Sequence, residues 1–139
     1  MNIESIFNLP IVKVEIGTLD YIMFHFGSMI DALNIRRNKI ISRGEYLLAI
    51  SDCAWRIKEG GKIIFSSRDS YNDELMDEVS CYLQGKKVIS YTDISKSDFE
   101  ITFNNNSVFQ SFFFVADVDE PVKWGLYDPE GESLYCSVN

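Results

Sequence analysis

With 139 residues, 46% of them hydrophobic and 14% aromatic, the chain has the length and apolar content of one domain, 1–139, and is too hydrophobic for a disordered segment. A formal charge of −8, from 21 acidic against 13 basic residues, argues against a nucleic-acid-binding surface. No run approaches the ~20 consecutive apolar residues of a membrane-spanning helix, and the opening MNIESIFNLPIV has neither the basic start nor the continuous apolar stretch of a secretory signal.

In chain order, strand signals come first. IVKVEI (11–16) sets Ile11, Val12 and Val14 against Lys13 and Glu15, and YIMFHFG (21–27) is an apolar, aromatic run closed by Gly27. The stretch 28–45 is weaker: SMIDALN reads as an edge strand and IRRNKIISRG as an exposed basic turn. YLLAISD (46–52) and AWRI (54–57) read as one long strand bent near Asp52 and Cys53. The turn at Glu59-Gly60-Gly61-Lys62 then returns the chain antiparallel along KIIFSS (62–67).

A single amphipathic helix is expected near 70–84. Asp69 or Ser70 caps it, Asp73 and Glu74 favour the positive end of its dipole, and Gly85 stops it. Leu75, Met76, Val79, Tyr82 and Leu83 recur at helical spacing, which leaves Asp73, Asp77 and Glu78 on an acidic outer face. Strands resume with KVISYTDI (87–94), FEITF (99–103), an Asn-rich turn at 104–107, and VFQSFFFVAD (108–117), apolar enough to be central in its sheet. KWGLYD (123–128), a D-P-E-G turn and SLYCSV (133–138) complete the chain. The fold class that follows is α+β, a bent, mostly antiparallel sheet of about eight to ten strands with that one helix packed on it.

The three cysteines, Cys53, Cys81 and Cys136, are odd in number and share no paired spacing, which points to reduced thiols and a cytoplasmic protein. Charge is divided unequally. Residues 1–69 hold nine basic and eight acidic side chains, whereas residues 70–139 hold four and thirteen. An acidic half of that kind either keeps the protein soluble or steers a basic protein partner toward it. Its two acidic groups are the helix residues Asp73, Asp77 and Glu78, and Asp117, Asp119 and Glu120 at a strand end.

Catalytic and cofactor motifs are missing from the sequence. No G-x-G-x-x-G is present, and Gly60-Gly61-Lys62 lacks the spacing of a phosphate-binding loop. One histidine cannot build a His-rich zinc site. His25 and Cys53 offer a base and a thiol, but His25 lies between Phe24 and Phe26 in an aromatic strand and reads as structural. Neither Asp117, Asp119 and Glu120 nor Asp128, Glu130 and Glu132 has the spacing of a calcium loop. Arg36, Arg37, Lys39 and Arg43 form too small a basic patch for nucleic acid. No cofactor and no metal site is expected.

Three segments carry a resemblance. Gly17, Leu19, Met23, Phe24, Phe26 and Gly27 form a G-x-L…M-F-x-F-G pattern. Tyr46, Leu48, Cys53, Trp55, Arg56 and Ile57 form Y-x-L…C-x-W-R-I. Glu120, Trp124 and Leu126 close the chain. Together they resemble a family of small bacterial proteins of unknown function, immunity-protein-like in size. Where that pattern carries a histidine before the cysteine, this chain has Ile50 or Ser51, so no imidazole accompanies Cys53 in sequence. Cys53, Trp55 and Arg56 therefore read as a structural motif. Trp55 is buried, and Arg56, on the opposite strand face, would need a carboxylate if buried, either Asp20 or an acid from the C-terminal half. The expected function is a non-enzymatic protein-binding module, an immunity-type inhibitor of a basic toxin domain. The alternative is a small-ligand-binding or accessory domain using the concave face of the sheet.

Overall fold

The computed structural model describes residues 3–17, 21–34, 37–51, 53–69, 72–95, 98–113, 124–131 and 133–136. After a 3-10 turn at Ile3–Ile6, alternation of apolar and polar side chains produces β1 (Ile11–Gly17), with a bulge at Val12 that brings Ile11 and Val14 to the same inner face. β2 (Tyr21–Asn34) does not stop at Gly27. That glycine takes φ +85° in a bulge where Gly27 and Ser28 oppose Glu45 alone, and the strand runs on to Asn34. A side chain at Gly27 would also meet the Glu45 carboxylate, whose Oε1 would lie 2.8 Å from its Cβ.

β3 (Lys39–Ile50) pairs with β2 along its full length, so 28–45 is the outer part of a long hairpin rather than an edge strand followed by a basic turn. Beyond the reach of β1 and β9 this hairpin stands as a two-stranded arm that leaves Met29, Leu33 and Ile40 exposed. Arg43 leaves the expected basic patch altogether. It is buried, and its guanidinium donates to the carbonyls of Gly44, Glu45 and Asp128 at 2.9, 3.1 and 2.8 Å. Arg36 lies outside the described residues.

β4 (Cys53–Glu59) is not a continuation of β3. Ile50 ends in one sheet and Cys53 begins in the other, and β4 pairs with β5 (Lys62–Ser66) through a two-glycine turn in which Gly60 and Gly61 both have positive φ. After the helix come β6 (Val88–Asp93), β7 (Phe99–Phe103), β8 (Val108–Phe113), β9 (Trp124–Tyr127) and β10 (Ser133–Cys136). The expected turns hold: Asn106 takes φ +66° before Ser107, and Gly131 N–H closes on Asp128 O at 2.9 Å.

The ten strands among the described residues, with the one helix, make the α+β fold expected, and they form two antiparallel sheets of five strands, β1-β2-β3-β9-β10 and β5-β4-β8-β7-β6. β8 is central in the second, as its doubly apolar sequence implies. The sheets face each other across one core in which Phe24 meets Phe109 edge-on at 4.9 Å and Phe99 meets Trp124 at 4.5 Å.

The helix α1 (Asp73–Leu83) carries the chain from β5 at one edge of the second sheet to β6 at the other. Leu75, Val79 and Leu83 are buried, and Ser80 Oγ donates to the free carbonyl of Val14 at 3.1 Å, covering the edge of β1. The cap is Asn72, whose Oδ1 accepts from Leu75 N at 2.7 Å, rather than Asp69 or Ser70. Asp69 is already engaged, accepting from the backbone N–H of Ser66 at 2.9 Å. Gly85 stops the helix at φ +76°, as expected.

Candidate functional site

Helix geometry places Asp73 and Asp77 on one stripe and Glu74 and Glu78 on the next, all four exposed, with the apolar stripe turned inward. Asp73 and Glu74 lie in the first turn, where the helix dipole favours an acid. Asp77 and Glu78 gain nothing from it. Each repeats the charge of the residue four before it, an arrangement that destabilises a helix by about 0.2–0.5 kcal/mol per pair. No basic residue occupies the last turn, and among the described residues none of the four is in an ion pair.

Beside this face, between β5 and the start of α1, lies a shallow groove of about 250 Å³. Ile64, Phe65 and Leu75 give it an apolar lining, and Asp69, Glu74 and Glu78 rim it with acid. Asp117, Asp119 and Glu120, the second acidic group, lie outside the described residues.

The C-x-W-R-I segment divides between the two faces of β4. Cys53, Trp55 and Ile57 are buried against the core, and Trp55 stacks on Phe109 at 6.1 Å. Cys81 is an exposed free thiol on the helix. Arg56 faces outward, and among the described residues its partner is an amide: Nε donates to Gln110 Oε1 at 2.6 Å, and Gln110 Nε2 donates onward to Glu100 Oε2 at 2.7 Å, while Asp20 lies outside the described residues. Register explains the relay, because Arg56, Gln110 and Glu100 are directly opposed across β4, β8 and β7. The Arg56 guanidinium also lies over the Phe112 ring, 5.0 Å from its centroid.

The faces that the two sheets turn toward each other are filled by core side chains. Space for a small molecule is found instead on the outer face of the second sheet, in a cleft of about 540 Å³ lined by Arg56, Phe112, Ile63, Ser66, Ser67 and Arg68. Sequence reasoning singled out Arg56 there but not Arg68; Ser66 closes β5, and Ser67 and Arg68 follow it.

His25 is a buried side chain on the outer face of the first sheet, held as a structural residue. Its Nδ1 accepts the backbone N–H of Gly44 at 3.0 Å, which leaves the ring proton on Nε2, directed at Glu15 Oε2 3.5 Å away. Glu15 also pairs with Lys13 at 2.8 Å. The His25 ring edge beside it, with help from Lys13 and against the opposing effect of burial, holds the Glu15 carboxyl down at about 2 instead of 4.5. A carboxyl lowered on folding stabilises above its ordinary value and loses that contribution as pH falls toward 2. Glu15→Gln is therefore expected to cost stability near neutral pH and progressively less between pH 4.5 and 2. Urea unfolding of both proteins across that range checks this, and a constant difference would refute it.

Among the described residues no three His, Cys, Asp or Glu side chains are grouped to hold a metal ion, and no helix is long and apolar enough to cross a membrane. Asp128 and Glu130 are turn residues, the Asp128 carboxylate accepting from Glu130 N at 3.0 Å. No family model, no curated protein and no solved structure matches the chain, so the resemblance carried by its C-x-W-R-I pattern gains no support from these comparisons.

Proposed function

We propose that the chain is a non-enzymatic protein-binding module that presents the acidic face of α1 to a basic partner, in the manner of a cytosolic immunity-type inhibitor masking a basic toxin domain. The observation that carries this reading is the placement of Asp77 and Glu78. They are exposed, outside the reach of the helix dipole, and set at like-charge spacing, so their charge costs helix stability without an internal return. The adjoining groove suits the partner's chemistry. A lysine or arginine stem would lie on Ile64, Phe65 and Leu75 while its charged head reached Asp69, Glu74 or Glu78.

Opposite charges steer encounter, and the attraction is screened as the Debye length falls from about 10 Å at 0.1 M salt to about 3 Å at 1 M. The test takes as candidate partner a basic toxin domain found by searching the neighbouring genes, with association followed by stopped flow at low and high salt. Asp73→Lys, Asp77→Lys and Glu78→Lys together are expected to slow association at least tenfold at low salt and to flatten its salt dependence, with the fold intact. An association rate indifferent to both salt and charge reversal would overturn the proposal.

A further inference from the structure

We propose that the cleft on the outer face of the second sheet binds a small organic anion, a carboxylate- or phosphate-bearing molecule with a planar apolar body. This surface is separate from the acidic face of α1, and the inference does not depend on a protein partner.

The chemistry of the lining selects for negative charge. Arg56 Nε is committed to Gln110 Oε1 at 2.6 Å, and the guanidinium lies over Phe112, 5.0 Å from the ring centroid, so among the described residues its two terminal amino groups are left to donate. Arg68 lines the same cleft from an exposed position. Among the described residues neither arginine forms an ion pair with a carboxylate. Both serine hydroxyls are already satisfied as acceptors: Ser66 Oγ takes the N–H of Arg68 at 3.2 Å and Ser67 Oγ takes the N–H of Trp55 at 3.1 Å. Each therefore keeps its proton to give. Asp69, the nearest acid in sequence, is turned onto the N–H of Ser66 at 2.9 Å and does not line the cleft. Two cations and two hydroxyl donors thus converge on a chain whose net charge is −8.

The rest of the lining is apolar. Phe112 and Ile63 flank the donors, and a volume of about 540 Å³ falls within the roughly 300–1,000 Å³ of small-molecule sites. A bare inorganic anion would leave most of that surface unused. An aromatic or otherwise planar body beside Phe112, with its anionic group against Arg56 and Arg68, would use both halves.

The test is a titration of the full chain followed by amide chemical shifts, using phenyl phosphate, benzoate, inorganic phosphate and benzylamine as probes. Phenyl phosphate, benzoate or both should shift Arg56, Ser66, Ser67 and Arg68 saturably, and which of them does so separates a phosphate-bearing ligand from a carboxylate-bearing one. Benzylamine should not. Arg68→Gln, at an exposed side chain outside the strand ladder, should weaken binding about tenfold with the amide spectrum otherwise preserved. Arg56→Gln should weaken it further, and Asp77→Lys should leave it unchanged. The proposal fails if neither organic anion saturates the cleft at about 10 mM, well above a Kd of about 1 mM. It fails equally if benzylamine binds as tightly or if Arg68→Gln has no effect. Inorganic phosphate binding as tightly as phenyl phosphate would overturn the apolar half of the inference.

Discussion

Trp55→Ala is expected to destabilise the protein by about 3–5 kcal/mol, a large share of the 5–15 kcal/mol that holds a typical domain folded. Trp55 is 2% exposed, and its indole stacks on Phe109, which is itself edge-on to Phe24 of the opposite sheet at 4.9 Å. Removing it opens a void at the centre of the second sheet next to the rings that join the two layers. Neighbours bound to β4 on both sides, through β5 and β8, cannot collapse into that void without breaking ladder hydrogen bonds. Urea unfolding measures the loss. Near-wild-type stability together with loss of a binding partner would instead make Trp55 a contact residue and refute its core role.

Period-two alternation made most strands legible, because it shows which side chains share a face. It shows nothing about which strand lies alongside. That is why residues 46–57 could be read as one bent strand when Ile50 pairs with Ile22 and Trp124 in one sheet and Cys53 pairs with Phe113 in the other. Gly27 misled for a local reason: glycine weakens a strand, so a glycine after an apolar run reads as its end, yet here its positive φ serves a bulge that lets the strand continue. Arg43 misled for a non-local one. The Asp128 carbonyl it binds is 85 residues away, and a backbone acceptor leaves no trace in the sequence.

The candidate surfaces follow the same division. The acidic face of α1 was readable because helical periodicity is local, and its groove with β5 was not. For Arg56 the spacing from Trp55 gave the correct strand face, but an acid of the C-terminal half, Glu100, is reached only through the amide of Gln110. A neutral relay between two charges at matching register is invisible until the strand order β4-β8-β7 is known. The cleft joins Arg56 on β4 to Phe112 on β8 and Arg68 beyond β5, three segments that only the sheet brings together.

Gly44→Ala is expected to cost about 3 kcal/mol, more than a typical overpacking substitution, although it adds only one methyl group. Gly44 does not need its conformational freedom; it needs its lack of a side chain. A Cβ there would lie 2.8 Å from both His25 Cβ and the backbone nitrogen of Phe26, and 3.0 Å from His25 Cα. Two of those three atoms are backbone, so relief requires β2 and β3 to move apart where the bulge already bends them. The same displacement would lengthen the 3.0 Å hydrogen bond from Gly44 N–H to His25 Nδ1, leaving a buried imidazole nitrogen without its donor. Gly60→Ala provides the contrast. Gly60 has φ +57° and open space around it, so its alanine variant meets only the left-handed backbone penalty of about 1–2 kcal/mol. Chemical unfolding of the two variants separates crowding from backbone strain. A Gly44→Ala variant no less stable than Gly60→Ala, with the His25 ring resonances unshifted, would show that the close approach of β2 and β3 is not what fixes His25 in place.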